Sequence, residues 1–119
     1  SFFNRTPFET ANGMAKLLGQ ISSSAGGVGT EYPAPKALVV APPPLTEMPH
    51  PFFQGTFEGG HQKTAQFAKQ YSYLADFMKV DFFDAGTVIT TDGCDGIHFT
   101  EQNNKVLGRA LAEKVLSII

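Results

Sequence analysis

Ala37-Leu38-Val39-Val40-Ala41 is a continuous apolar run that Pro42-Pro43-Pro44 stops abruptly. A strand with one solvated face alternates apolar and polar residues, whereas an unbroken run suits a strand covered on both faces, as in a parallel sheet. Val80-Asp81-Phe82-Phe83-Asp84 reads as a second short strand, and a helical pattern lies between the two. Parallel strands require such a crossover, because a tight hairpin cannot join them. The run therefore restricts the chain to layered α/β architectures.

The flanking segments agree. Thr6-Pro7-Phe8-Glu9 has the makings of a helix start, with Thr as N-cap, Pro at the first helical position and Glu at the third. Phe8, Ala11, Ala15, Leu18 and Ile21 then recur on one helical face. Residues 22–35 are rich in Ser, Gly and Pro and read as a long loop, and residues 45–60 as a second one carrying Phe52, Phe53 and Phe57. A helix is expected over residues 62–78, with Phe67, Tyr71, Leu74, Ala75 and Met78 inward. Thr100 should cap a last helix that turns Val106, Leu107, Ala110, Leu111, Val115 and Ile118 inward, with Glu101 and Lys105 paired outside. The order helix, strand, helix, strand, helix argues for a three-layer α/β/α sandwich on a parallel sheet. Two interior strands need neighbours, so residues 1–119 are expected to be part of a single larger domain.

Composition narrows the function. The 119 residues are 42% hydrophobic and 17% charged, with a formal net charge of −2, which suits a globular domain. Acids and bases are interspersed, with no Lys/Arg run, so a nucleic-acid partner is not expected. No apolar run approaches the ~18 residues that span a bilayer, and no membrane partner is expected. The single Cys94 excludes a disulfide within the chain and a Cys-x-x-Cys metal site, and is compatible with a reducing compartment.

The stretch Asp92-Gly93-Cys94-Asp95-Gly96-Ile97-His98-Phe99-Thr100 carries the most chemistry. Three readings of it compete. Asp95 and Gly96 could form a plain surface turn with His98 beside a helix start. Asp92, Asp95, His98 and Glu101 could ligate a metal, although calcium loops need oxygen ligands at alternate positions and Gly93, Cys94 and Gly96 interrupt that pattern. Or Asp95 could hold His98 as a general base, since a carboxylate sets the imidazole tautomer and steadies the imidazolium. The position after the second strand, at the carboxyl edge of the sheet, is where open α/β sheets bind ligands.

Asp95-Gly96-Ile97-His98-Phe99-Thr100-Glu101-Gln102-Asn103, preceded by Phe82-Phe83-Asp84-Ala85-Gly86, resembles the last conserved block of SGNH (GDSL-type) serine hydrolases, in particular their bacterial arylesterase/acyltransferase branch. The likeness extends through Phe3-Asn4-Arg5-Thr6-Pro7-Phe8, Tyr32-Pro33-Ala34-Pro35-Lys36 and Val39-Val40-Ala41-Pro42-Pro43-Pro44-Leu45. It implies that Asp95 and His98 are two members of a catalytic triad acting on small ester substrates, with no metal or cofactor. It also implies a nucleophilic Ser in a Gly-Asp-Ser block, and an oxyanion hole from a Gly and the Asn of a Gly-x-Asn-Asp block. None of those blocks occurs in these residues, so by the resemblance residues 1–119 are the carboxyl-terminal part of the domain, and an amino-terminal portion of it is the expected partner, in a homo-oligomer. On its own the chain would then be a non-catalytic fragment.

Other residues are weaker candidates. Ser22, Ser23 and Ser24 lack a Gly-x-Ser-x-Gly elbow and read as solvated. Asn4 lacks the context of an oxyanion donor, and Cys94 reads as a small, partly buried residue. Ala25-Gly26-Gly27-Val28-Gly29-Thr30 lacks the Lys of a phosphate loop, and Pro42-Pro43-Pro44 needs no partner to end a strand. His50 and His61 read as surface residues. Phe53 and Phe57 could pack under their loop, meet another subunit, or form with Ile97 an apolar wall for an acyl or aryl group.

Overall fold

The computed structural model describes residues 4–26 and 31–119. Phe3 and the Gly27-Val28-Gly29-Thr30 part of the expected loop lie outside them. Helix α1 (Pro7–Ser22) starts at a complete capping box: the Thr6 N–H donates to Glu9 Oε2 at 2.7 Å, and the Glu9 N–H donates to Thr6 Oγ1 at 3.1 Å. Strand β1 (Leu38–Ala41) follows, then α2 (Pro51–Thr56), α3 (Gly60–Thr64), α4 (Phe67–Met78), strand β2 (Asp81–Asp84), a 3₁₀ turn (Ala85–Thr87) and α5 (Glu101–Ile118). β1 and β2 pair in parallel, with Leu38 opposite Asp81 and Ala41 opposite Asp84. The α/β class and the parallel pairing are as the apolar run requires.

The core is built where α1 packs on α4 and α4 on both strands. It consists of Ala11, Leu18, Val39, Ala41, Tyr71 and Ala75, with Met14, Ile21, Leu74, Met78 and Phe82 against it. Leu18 and Val39 are buried to within a few per cent, and burying such a side chain fully contributes about 1.5–3 kcal/mol. Lys79 ends α4 in the left-handed region at φ 57°, which turns the chain so that the Val80 N–H donates to the Ala75 carbonyl at 3.0 Å. The crossover thus delivers β2 alongside β1.

Four expectations need correction. Residues 45–60 are not one loop: His50 caps α2, its Nδ1 accepting from the Phe52 N–H at 3.2 Å, and Pro51 occupies the first helical position. The helix expected over residues 62–78 is broken at Ala65 and Gln66 into α3 and α4. The Thr64 hydroxyl there bonds back to the Gly60 carbonyl at 2.7 Å and accepts the Leu45 N–H at 2.9 Å, so the preceding loop competes for the turn. Phe8, placed on the inner face of α1 by its spacing, is 63% exposed, because it lines an open groove between α1 and α4 with Tyr73, Leu74 and Phe77 instead of entering the core. No residue of α5 is fully buried, and Val115 is exposed; the helix touches β2 with an apolar face that is only half covered among the described residues.

Because the strands are parallel, the loops that leave β1 and β2 emerge at one edge of the sheet. After β1 comes the triproline and the segment through Met48. After β2, Asp84 turns the chain by accepting the Gly86 N–H at 2.9 Å, and Ile89 and Thr91 then bury themselves. The two loops meet there.

Candidate active site

Thr91 and Thr46 join the loops. The Thr91 Oγ1 accepts the Thr46 N–H at 3.0 Å and lies 3.2 Å from the Pro44 carbonyl, and the Thr46 hydroxyl donates to the Thr91 carbonyl at 2.8 Å. The Thr46 N–H also reaches the Gly96 carbonyl at 3.0 Å. Thr91 is 3% exposed and its hydroxyl is hydrogen-bonded. Buried hydroxyls of this kind hold their partners because leaving one unpaired costs about 1–3 kcal/mol.

Gly96 sits at φ 74° against the carbonyls of Thr46 and Glu47, where a Cβ would collide with Glu47 O. Only glycine fits both the left-handed backbone and the close approach. Gly93 is constrained by close approach alone, for its N–H donates to the His98 carbonyl at 2.9 Å and a Cβ there would lie 2.6 Å from that oxygen. The two glycines fold residues 92–98 into a closed turn, and Asp95 organises its interior. Asp95 Oδ1 accepts the backbone N–H groups of Ile97 and His98, both at 2.9 Å. Its Oδ2 lies 2.6 Å from His98 Nδ1.

Electrostatics settles the direction of that bond. The His98 side chain beside Asp95, followed by the backbone N–H groups of His98 and Ile97, holds the Asp95 carboxyl well below the usual carboxylate range. An ionised carboxylate can only accept, so Nδ1 is the donor. Nε2 is then the nitrogen left for proton transfer, on a ring whose side chain is 81% exposed while Asp95 is 25% exposed. A shielded carboxylate orienting an accessible imidazole is the arrangement a general base requires.

The structure brings Asp95 and His98 together as the spacing anticipates, and puts half-buried Ile97 between them. Phe53 and Phe57 belong to a separate aromatic group at α2: Phe53 meets His50, Phe52 and Phe57 at centroid distances of 6.0, 5.6 and 6.5 Å. This helix is anchored toward the dyad, since Gln54 Nε2 donates to the Met48 carbonyl at 2.7 Å and Glu47 packs on Gly96. Phe57 also lines a cavity of about 350 Å³ with Leu45 and Phe67. Cys94 is exposed rather than partly buried, because the turn points it outward. The hydroxyls of Ser22, Ser23 and Ser24 all bond to carbonyls of the last turn of α1, and His61 Nδ1 lies 2.6 Å from the Leu45 carbonyl. The oxygens considered for a metal are committed elsewhere: those of Asp92 to Thr100, those of Asp95 to the turn and His98.

Thr46 and Thr91 were not legible as site residues. A Thr beside a triproline and a Thr within Ile89-Thr90-Thr91-Asp92 carry no pattern that announces a bond between distant loops.

No protein-family model matches the chain, and no curated relative does. Solved structures do. The chain is similar to the aryl esterase of M. smegmatis, with a TM-score of 0.94 and 65% identity over 99% of this chain and 55% of that one. It is similar to a carbohydrate acetylesterase from Sinorhizobium meliloti, with a TM-score of 0.95 and 58% identity over 100% of this chain and 55% of that one. A further carbohydrate acetylesterase family member from the same organism gives 0.85 and 34%, over 92% and 51% of the two chains. The chain spans about half the length of these structures.

Proposed function

We propose that the chain, which is similar over its whole length to about half of an aryl esterase and of a carbohydrate acetylesterase, supplies the acid/base half of a serine-esterase active site. The observation that carries this is the 2.6 Å bond from His98 Nδ1 to a carboxylate held ionised, on a turn at the carboxyl edge of the sheet. The resemblance of residues 95–103 to the SGNH block supports a Ser-His-Asp mechanism. The nucleophilic Ser and the oxyanion donors come from a portion of the protein outside these 119 residues.

In that mechanism His98 Nε2 takes the proton of the Ser hydroxyl as its oxygen attacks the ester carbonyl carbon. The tetrahedral intermediate collapses, the bond to the alkoxide breaks, and His98 returns the proton to the departing oxygen. Water, or an acceptor alcohol, then attacks the acyl-enzyme while His98 removes its proton; the Ser oxygen leaves and recovers that proton. Asp95 remains ionised throughout, orienting the ring and stabilising the imidazolium. Ile97 beside the dyad, and Phe53 and Phe57 on the helix anchored through the Met48 carbonyl, are the apolar side chains assigned to the acyl or aryl group, and small aryl or alkyl esters are the substrate class.

Labelling of the full-length protein with a fluorophosphonate tests this reading. One Ser outside these residues should be phosphonylated, at a rate that falls sharply in His98→Ala. Labelling within these residues, or labelling indifferent to His98, would defeat it.

A further inference from the structure

The turn that carries the dyad is closed by a residue that touches neither member of it. Asp92 lies just upstream of Asp95, and both its oxygens accept from Thr100: Oδ1 from the backbone N–H at 2.8 Å, Oδ2 from the hydroxyl at 2.8 Å. Thr100 lies just beyond His98 and is the N-cap of α5, its Oγ1 in turn accepting the Asn103 N–H at 3.3 Å. Asn103 Nδ2 reaches back to the Thr90 carbonyl at 3.1 Å, adding a second tie between the same two segments. Between these anchors the Gly93 N–H holds the His98 carbonyl. The backbone of His98 is thus fixed from both sides, and hydrogen bonds to a carboxylate are the strong class.

We propose that Asp92 is a positioning residue for proton transfer: by clamping Thr100 it ties the dyad turn to the first turn of α5 and sets the backbone from which His98 reaches Asp95. His98 needs such support. Among the described residues its ring is largely exposed, and what fixes its placement there is the backbone and the one bond to Asp95. A misplacement of about 1 Å in a reacting group can cost on the order of 10²-fold in rate.

The inference rests on the reading of Asp95 and His98 as an acid/base pair, and the test separates the two. In the full-length protein hydrolysing p-nitrophenyl acetate, Asp92→Ala should lower kcat per fluorophosphonate-titrated site by roughly 10–100-fold, with KM within about two-fold. Asp92→Asn keeps an acceptor for the Thr100 N–H and a donor for its hydroxyl, and should recover most of the loss. The downfield proton resonance of His98 Nδ1–H should be lost in Asp92→Ala and kept in Asp92→Asn. A kcat per titrated site in Asp92→Ala that is close to wild type overturns the proposal, even if fewer sites titrate, because the role would then be structural only. Should Asp92→Ala fail to fold, Thr100→Val removes the hydroxyl bond and keeps the N–H: a lowered kcat supports the clamp, an unchanged one overturns it. Full activity in His98→Ala sinks both readings, whereas loss there with an unaffected Asp92→Ala sinks this one alone.

Discussion

Asp95 accepts from the imidazole of His98 and from two backbone N–H groups, and protonating its carboxyl weakens all three bonds. Its folded value is therefore depressed. Such a group contributes stability that is complete above the ordinary carboxylate value of about 3.9 and is lost as pH falls through the folded value. Asp92, held down first by the Thr100 N–H, and Glu9, held down first by the Thr6 N–H, act in the same direction. The carboxyl ¹³C shift of Asp95 should accordingly titrate below the ordinary range. In His98→Ala its midpoint should rise without returning fully to the ordinary value, since the N–H bonds from the turn persist. A midpoint unmoved by that substitution would mean the imidazole does not hold the carboxylate. Gly96→Ala should destabilise the full-length protein by more than about 1 kcal/mol and reduce esterase activity, because it forces a Cβ toward the Glu47 carbonyl from a backbone at φ 74°. Thermal unfolding and ester turnover measured together would check both effects.

At the scale of elements, what was legible in the sequence is what local chemistry determines. Thr6-Pro7-Phe8-Glu9 specified the start of α1 because its cap is made by its own residues. Both strands lie where the apolar runs place them, and Asp95 meets His98 because three residues of tight turn leave little choice. The misses involve partners distant in sequence. The break between α3 and α4 comes from the Thr64 hydroxyl serving Leu45, and the seat of Gly96 comes from Glu47. His50-Pro51 is a readable start for α2, but a helix of six residues is too short to show a periodic apolar face. The packing of α1 on α4 gives a prediction at this scale. Leu18→Ala removes one of the most buried side chains of the core and should cost about 2–5 kcal/mol, read as a lowered Tm of the full-length protein. Esterase activity per folded molecule should stay unchanged, since Leu18 is remote from the loops that meet at Thr46 and Thr91. A loss below about 1 kcal/mol would mean the site collapses around the deletion or is covered differently.

For the whole molecule, the chain matches about half the length of esterases of known structure. Its own features agree with a shared domain: among the described residues the sheet has two strands, and the apolar face of α5 is half covered. The 119-residue chain by itself should therefore show neither ester turnover nor fluorophosphonate labelling. Adding the portion that carries the nucleophile should restore both. The central claim is that His98, oriented by Asp95, moves the proton, and it is tested most directly by the turnover of His98→Ala in the full-length protein on p-nitrophenyl acetate. With Tm unchanged, kcat is expected to fall by roughly 10⁴-fold or more. A folded His98→Ala variant that keeps turnover within about ten-fold of wild type would contradict the assignment of this imidazole as the catalytic base.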